Sequence, residues 1–181
     1  MLIFLDLRNE LVNAFKLKDT DRAGWINSGL SSVESVAAHT WGVSYLALLL
    51  CPKEYDRNKV LSMCIIHDLG EAIVGDITPL DNISKDEKYN LEFSAIKELT
   101  NSSEIKDEIL DLWLEYEKKS SPEALFVKAC DSLDMALQAS IYDVENNDFN
   151  PNEFIESALE KIDDECMRLL ASNTVNGKNP A

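Results

Sequence analysis

The chain contains only two histidines, His39 and His67, and each lies inside an apolar stretch: SVAAHTWGVSYL for the first, LSMCIIHDLGEAIVGD for the second. A lone histidine in such a setting is usually a hydrogen-bonded core residue. Asp68, directly after His67 and preceded by Ile65 and Ile66, changes that weighing. A buried carboxylate is costly unless a cation or a dense set of hydrogen bonds compensates it. Asp131, in LFVKACDSLDMALQA, makes the same demand, because Leu125, Val127, Ala129, Cys130, Leu133 and Leu137 leave that segment mostly apolar. Two imidazoles and two carboxylates drawn from three helices form a ligand set for a divalent transition metal, and helix-bundle cores are a recurrent place for one.

Four ligands leave open positions on a six-coordinate ion for water and a substrate oxygen. The ion lowers the pKa of its water towards neutrality and offsets charge on a phosphoryl group. Glu71 follows His67 by four residues and Asp68 by three, which places it on the same helical face. It reads as a group that orients water or acts as general acid or base. Asp76, in GDITP, reads as an outer partner, a base or a proton donor to the leaving oxygen. Both acids also have a plainer reading as solvated surface residues.

Substrate contacts are sought nearby. Arg22 lies in the loop before the His39 segment, and a guanidinium fork matches two phosphate oxygens. Trp25 either stacks on a sugar or base or plugs the core. Lys128, one helical turn before Asp131, serves phosphate or a structural pair. Thr78 bonds substrate or shapes the turn before Pro79.

The elements that must position these residues are helical almost throughout. Periodicity predicts helices over roughly Leu2–Leu17, from Ser31 through His39 to Leu50, and over Arg57–Glu71, Ser84–Leu99 and Ser103–Lys118. Two more are predicted from Ser121 to about Glu145 and from Pro151 to about Leu170. Ser31 with Glu34, and Ser84 with Glu87, match the S-x-x-E capping box. Ser121 precedes Pro122 as an N-cap precedes a first-turn proline. The stretch DTDRAGWINSGLSS lacks helical periodicity and is predicted to be a functional loop. No strand alternation, internal repeat or domain linker is visible.

The 181 residues suit one domain. A formal net charge of −16 argues against binding polymeric nucleic acid, while leaving room for a small anionic substrate in a locally cationic pocket. The four cysteines form no C-x-x-C pair and read as reduced core residues. The apolar start carries Asp6, Arg8 and Glu10, unlike a signal peptide, and Val43–Cys51 is too short to span a bilayer. A soluble, cytoplasmic protein is expected.

The pattern His39, His67–Asp68, Asp131 resembles the HD-domain metal-dependent phosphohydrolases. The segments RAGW, ESVAAHTW, HDLGEAIVGDITPLDNISKDEK, LWLEYE and FVKACDSLDMALQA are similar, over about residues 5–165, to the HD-domain 5′-deoxynucleotidases. These include the bacterial deoxyribonucleoside 5′-monophosphatases and the HD-domain-containing protein 2 type. The resemblance implies an all-α, single-domain HD-type helical bundle, here residues 1–172 with 173–181 as a flexible tail. It implies homodimers and one divalent ion per subunit, Co²⁺ or Mn²⁺ first, with Zn²⁺, Fe²⁺, Ni²⁺ or Mg²⁺ as other fits. It also implies release of the 5′-phosphate from deoxyribonucleoside monophosphates. By the same resemblance His39, His67, Asp68 and Asp131 hold the metal, Glu71 and Asp76 are the catalytic acids, and Arg22 and Trp25 lie near the phosphate. In bacterial members that Arg and Trp are adjacent, whereas here Ala23 and Gly24 separate them. Two alternatives stand beside this one: an HD phosphohydrolase of triphosphates, signalling nucleotides or phosphodiesters, and a non-catalytic nucleotide-binding or interaction module.

Overall fold

The computed structural model describes residues 2–146 and 148–173. Their order is α1 (Leu2–Ala14), a 3₁₀ turn (Phe15–Lys18), α2 (Ala23–Asn27), α3 (Val36–Leu50), α4 (Arg57–Ile66) and α5 (Glu71–Val74). A second 3₁₀ turn (Pro79–Asp81) leads to α6 (Lys85–Thr100), α7 (Lys106–Lys118), α8 (Pro122–Glu145), α9 (Asn152–Leu159) and α10 (Glu165–Asn173). The only β-type pairing among the described residues is an isolated bridge between Asp21 and Ser35. The expected all-α architecture is what the chain adopts, and no helix among the described residues is long and apolar enough to cross a membrane.

The centre is α8, which begins as its sequence predicts: Ser121 Oγ accepts from Ala124 N at 3.1 Å and Pro122 occupies the first turn. Ala124, Ala129, Ala136 and Ala139 are buried along it. These small side chains let α3, α4, α9 and α10 lie close. Val43, Ala47, Met63, Cys64, Val127, Cys130 and Leu133 fill the space between α3, α4 and α8. A second cluster seats Trp113 of α7 against Tyr89 and Phe93 of α6, fixing those helices beside the first core.

Several boundaries differ from expectation for identifiable reasons. Ser31 and Glu34 do not form a capping box. The Glu34 carboxylate accepts from Trp25 Nε1 at 2.9 Å and its carbonyl accepts from Arg22 N at 3.0 Å. With Glu34 so engaged, Ser35 becomes the N-cap of α3, its Oγ accepting from Ala38 N. The predicted loop holds a short helix, α2. The helix expected from Arg57 to Glu71 stops at Ile66. Residues 67–70 then follow three-residue turns, with Leu69 N donating to Ile66 O, before α5 resumes. Gly75, at φ +78°, ends α5 in a conformation that costs a side-chain-bearing residue more. The last predicted helix is two: residues 160–164 interrupt it, and Asp164 Oδ1 caps the second piece by accepting from Met167 N at 2.8 Å. Of the expected tail, Asn173 closes α10, and 174–181 lie outside the described residues.

Candidate metal centre

His39 sits in the first turns of α3 and points at α8. Its exposure is 1%, and its Nδ1–H donates to Asp134 Oδ2 at 2.7 Å. His67, at the end of α4, is 4% exposed and donates from Nδ1 to the Cys64 carbonyl at 2.7 Å. With each Nδ1 occupied as a donor, each Nε2 carries the lone pair whenever the ring is neutral, the form that ligates a cation. Neither buried Nε2 has a hydrogen-bond partner. Buried polar atoms are nearly always paired, so two orphaned nitrogens facing one space need an explanation.

The carboxylates around that space supply one. Asp131 Oδ1 is 3.3 Å from His39 Nε2, and its other oxygen accepts from the Tyr116 hydroxyl at 3.1 Å. Asp68 Oδ2 lies 3.2 Å from His67 Nε2 and 3.6 Å from His39 Nε2. His39, His67 and Asp131 each offer a ligand atom within 4.8 Å of the others, an arrangement that could hold a metal ion. The donor set of two imidazole nitrogens and carboxylate oxygen suits a divalent transition metal, and a bound cation would satisfy both orphaned nitrogens. The residues present fit the group.

The turn at 67–70 does locally what a continuous helix was expected to do. It sets Asp68 and Glu71 on one side, although α4 has ended. Gly70 allows this: a β-carbon there would lie 3.1 Å from the Glu92 carbonyl of α6. Glu71 is 4% exposed, and its Oε2 has no hydrogen-bond partner. Burial, then the charges of Asp68 and Asp76, raise its carboxyl well above the usual range. For Asp68, burial pushes the same way, but His67, Arg22 and His39 outweigh it and hold the group well below its ordinary value. Asp131 is likewise held low, its burial outweighed by His39 and His67.

Arg22 enters this space from the residue preceding α2. Its guanidinium is 3.5 Å from Asp68 Oδ2 and 3.7 Å from Asp76 Oδ1. Burial opposes its charge, but Asp68, Asp76, Glu71 and Asp131 more than offset that. Asp76 Oδ2 also accepts from Ala23 N at 2.8 Å, tying the start of α2 to the loop after α5.

The other predicted contacts are placed less directly. Trp25 is 2% exposed and packed among Tyr142, Phe149 and Phe154, with ring centroids 4.2 to 6.2 Å away. Of its two readings, the core plug describes its surroundings, and it meets the cavity only as part of the wall. Thr78 shapes its own turn: it accepts from Leu80 N, and Asp81 accepts from its backbone at 2.7 Å. Lys128 pairs with Glu117 at 3.0 Å and lies 3.5 Å from the centre of the Tyr116 ring.

A cleft of about 1210 Å³ opens from these residues, with Lys85, Lys88 and Lys128 on its walls. That volume is ample for a small organic ligand, and on its walls Arg22 and the lysines stand among acids that include Asp68, Glu71, Asp76, Glu92 and Glu117. Sequence reasoning missed Lys88, Glu92, Tyr116 and Asp134. Lys88 Nζ donates to the Ile77 carbonyl at 2.8 Å and holds the loop carrying Asp76 and Thr78. Burial pushes the carboxyl of Glu92 up to about 7 despite the ion pair with Lys88 at 3.5 Å. The i, i+4 spacing of Lys88 and Glu92 was a usable signal.

A family model described as the HD domain matches residues 14–170. This chain belongs to the HD-domain family. Among its HD-domain relatives, the 5′-deoxynucleotidase HDDC2 of Dictyostelium discoideum is 40% identical over 170 residues, covering 86% of this chain and 90% of that protein. The human 5′-deoxynucleotidase HDDC2 is 36% identical over 150 residues, covering 81% and 74%. A crystal structure of a protein from Pyrococcus horikoshii OT3 shares the fold at a TM-score of 0.75 with 34% identity, covering 93% of this chain and 95% of that one.

Proposed function

We propose that this HD-domain protein is a metal-dependent 5′-deoxynucleotidase, a phosphoric monoester hydrolase that releases the 5′-phosphate of deoxyribonucleoside monophosphates. The observation carrying the chemistry is the pair of buried, unpartnered Nε2 atoms beside two carboxylates, with Arg22 and Glu71 at the same end of the cleft. The substrate class comes from the relatives named 5′-deoxynucleotidase. We take the helices through Asn173 as one HD domain.

His39, His67, Asp68 and Asp131 would hold one divalent ion, Co²⁺ or Mn²⁺ before Zn²⁺, Fe²⁺, Ni²⁺ or Mg²⁺. When bound, that ion would supply a water of lowered pKa and positive charge for the phosphoryl oxygens. The remaining work falls to side chains. Arg22, fully charged, offers its fork to the phosphate, turning from Asp68 towards the incoming anion. Asp76 holds the Ala23 amide and so keeps Arg22 in range. Glu71, whose Oε2 is uncommitted, is the carboxyl free to move a proton. In the net reaction the bond from phosphorus to O5′ breaks, a water oxygen bonds to phosphorus, and a proton from that water ends on O5′. Lys88 and Lys128 raise the local potential for the dianion, and Thr78 and Trp25 bound the space for the nucleoside.

The test is phosphate release from deoxy- and ribonucleoside 5′-monophosphates run as pairs with added Co²⁺ or Mn²⁺, with 3′-monophosphates alongside. Release from the 5′-deoxy compounds is expected at the highest kcat/KM. No release from any nucleotide with any ion sinks the enzyme reading, and preference for a 3′-phosphate sinks the assignment to 5′-esters.

A homodimer and a cytoplasmic setting complete the proposal. On α3, Trp41 is 68% exposed and stacks on Tyr45, with Leu48 and Leu49 exposed one turn further. An apolar strip of this kind suits a partner surface. Sedimentation equilibrium is expected to give twice the chain mass, and a monomer at micromolar concentration would remove the dimer. The four cysteines are free and three are buried, as suits a reducing compartment.

A further inference from the structure

We propose that Asp134 is the positioning residue of the metal centre, gripping His39 through Nδ1 so that Nε2 faces the ion, and that Gly42 lacks a side chain to make room for that carboxylate. The inference rests on the metal reading above. The two histidines are held differently. His67 is aimed by a backbone carbonyl, whereas His39 depends on a side chain from another helix. Asp134 follows Asp131 by three residues on α8, so one helix face meets both nitrogens of the His39 ring. Asp131 Oδ1 is 3.3 Å from Nε2 and Asp134 Oδ2 is 2.7 Å from Nδ1. A carboxylate on Nδ1–H fixes the tautomer and the ring plane of a ligating histidine.

Gly42 is the independent observation. It lies within α3, one turn after His39, where glycine is a poor helix former. A β-carbon there would lie 2.9 Å from Asp134 Cγ and would overlap Oδ1. The absent side chain and the Asp134 carboxylate occupy the same space. Glu34 is also near, its carboxylate within 4.8 Å of His39 and Asp134 ligand atoms. However, Glu34 Oε1 accepts from Trp25 Nε1, which leaves Asp134 as the partner of His39.

The experiment uses the full chain, stripped of metal by chelation and titrated with Co²⁺ by calorimetry and by its visible absorption spectrum. Asp134→Ala is expected to weaken Co²⁺ binding about 10- to 100-fold and to alter the cobalt spectrum. Asp134→Asn, whose amide oxygen still accepts from Nδ1–H, should recover part of both. Gly42→Ala, although favourable for a helix, should weaken binding by displacing the carboxylate. The double variant Gly42→Ala/Asp134→Ala should bind no more weakly than Asp134→Ala alone, because the added methyl then meets no carboxylate. Wild-type affinity in Asp134→Ala or Gly42→Ala overturns the proposal, as does an additive loss in the double variant. Wild-type protein that binds no Co²⁺ overturns the metal reading and this proposal with it. Normal wild-type binding with unaffected variants overturns this proposal alone.

Discussion

Glu71→Gln is expected to lower kcat by about 10²- to 10⁴-fold, the range for loss of a general acid or base, while leaving nucleotide affinity nearly unchanged. The substitution is isosteric and the position is buried, so the cavity keeps its shape. It removes a carboxyl beside the candidate ligands whose buried Oε2 has no hydrogen-bond partner. Asp76 is a poorer choice for proton transfer, since it already holds the Ala23 amide and faces Arg22. Single-turnover phosphate release, paired with calorimetric titration of a deoxynucleoside monophosphate, separates the two quantities. Turnover at the wild-type rate would remove Glu71 from the chemistry and return the role to Asp76.

Asp131→Asn is expected to abolish stoichiometric metal binding and to reduce activity by more than about 10³-fold, some 4 kcal/mol of lost transition-state stabilisation. Asparagine keeps the volume and can still accept from the Tyr116 hydroxyl, so loss of fold does not confuse the result. What disappears is negative charge beside His39 Nε2. Metal content by mass spectrometry after gel filtration should fall well below one ion per chain. A variant that retains one tightly bound ion would show that Asp131 is not a ligand.

The residues that converge on the candidate centre were legible because their types conflict with buried neighbours: an acid after His67 and the buried Ile66, or an acid beside the buried Cys130, asks for a cation, although Ile65 and Leu125, read as part of the same apolar runs, are exposed. The start of α8 was legible because Ser121 and Pro122 act on their own backbone. What sequence could not supply was competition for side chains across the fold. Ser31 and Glu34 have capping-box spacing, but the Trp25 indole takes the Glu34 carboxylate, and α3 starts later. The helix from Arg57 gives way at Ile66 to a turn in which Gly70 lies against Glu92, a residue of another helix. Trp25 had two readings, and only the packing of Phe149 and Phe154 around it favours the plug. Asp134 escaped notice because its partner lies 95 residues away, although its spacing from Asp131 repeats a helical turn.

The candidate ligands come from α3, from the turn after α4 and from α8, and these segments pack into one core. Their convergence makes the ion a term in the folding equilibrium. Only the assembled chain presents the full set, so free metal at about 100 times Kd would add about 2.7 kcal/mol to stability by mass action. Without a cation, assembling the bundle brings Asp68, Glu71, Asp76 and Asp131 around Arg22 as the adjoining guanidinium. The supply of metal in the cell would then shift this protein's margin of stability as well as its activity.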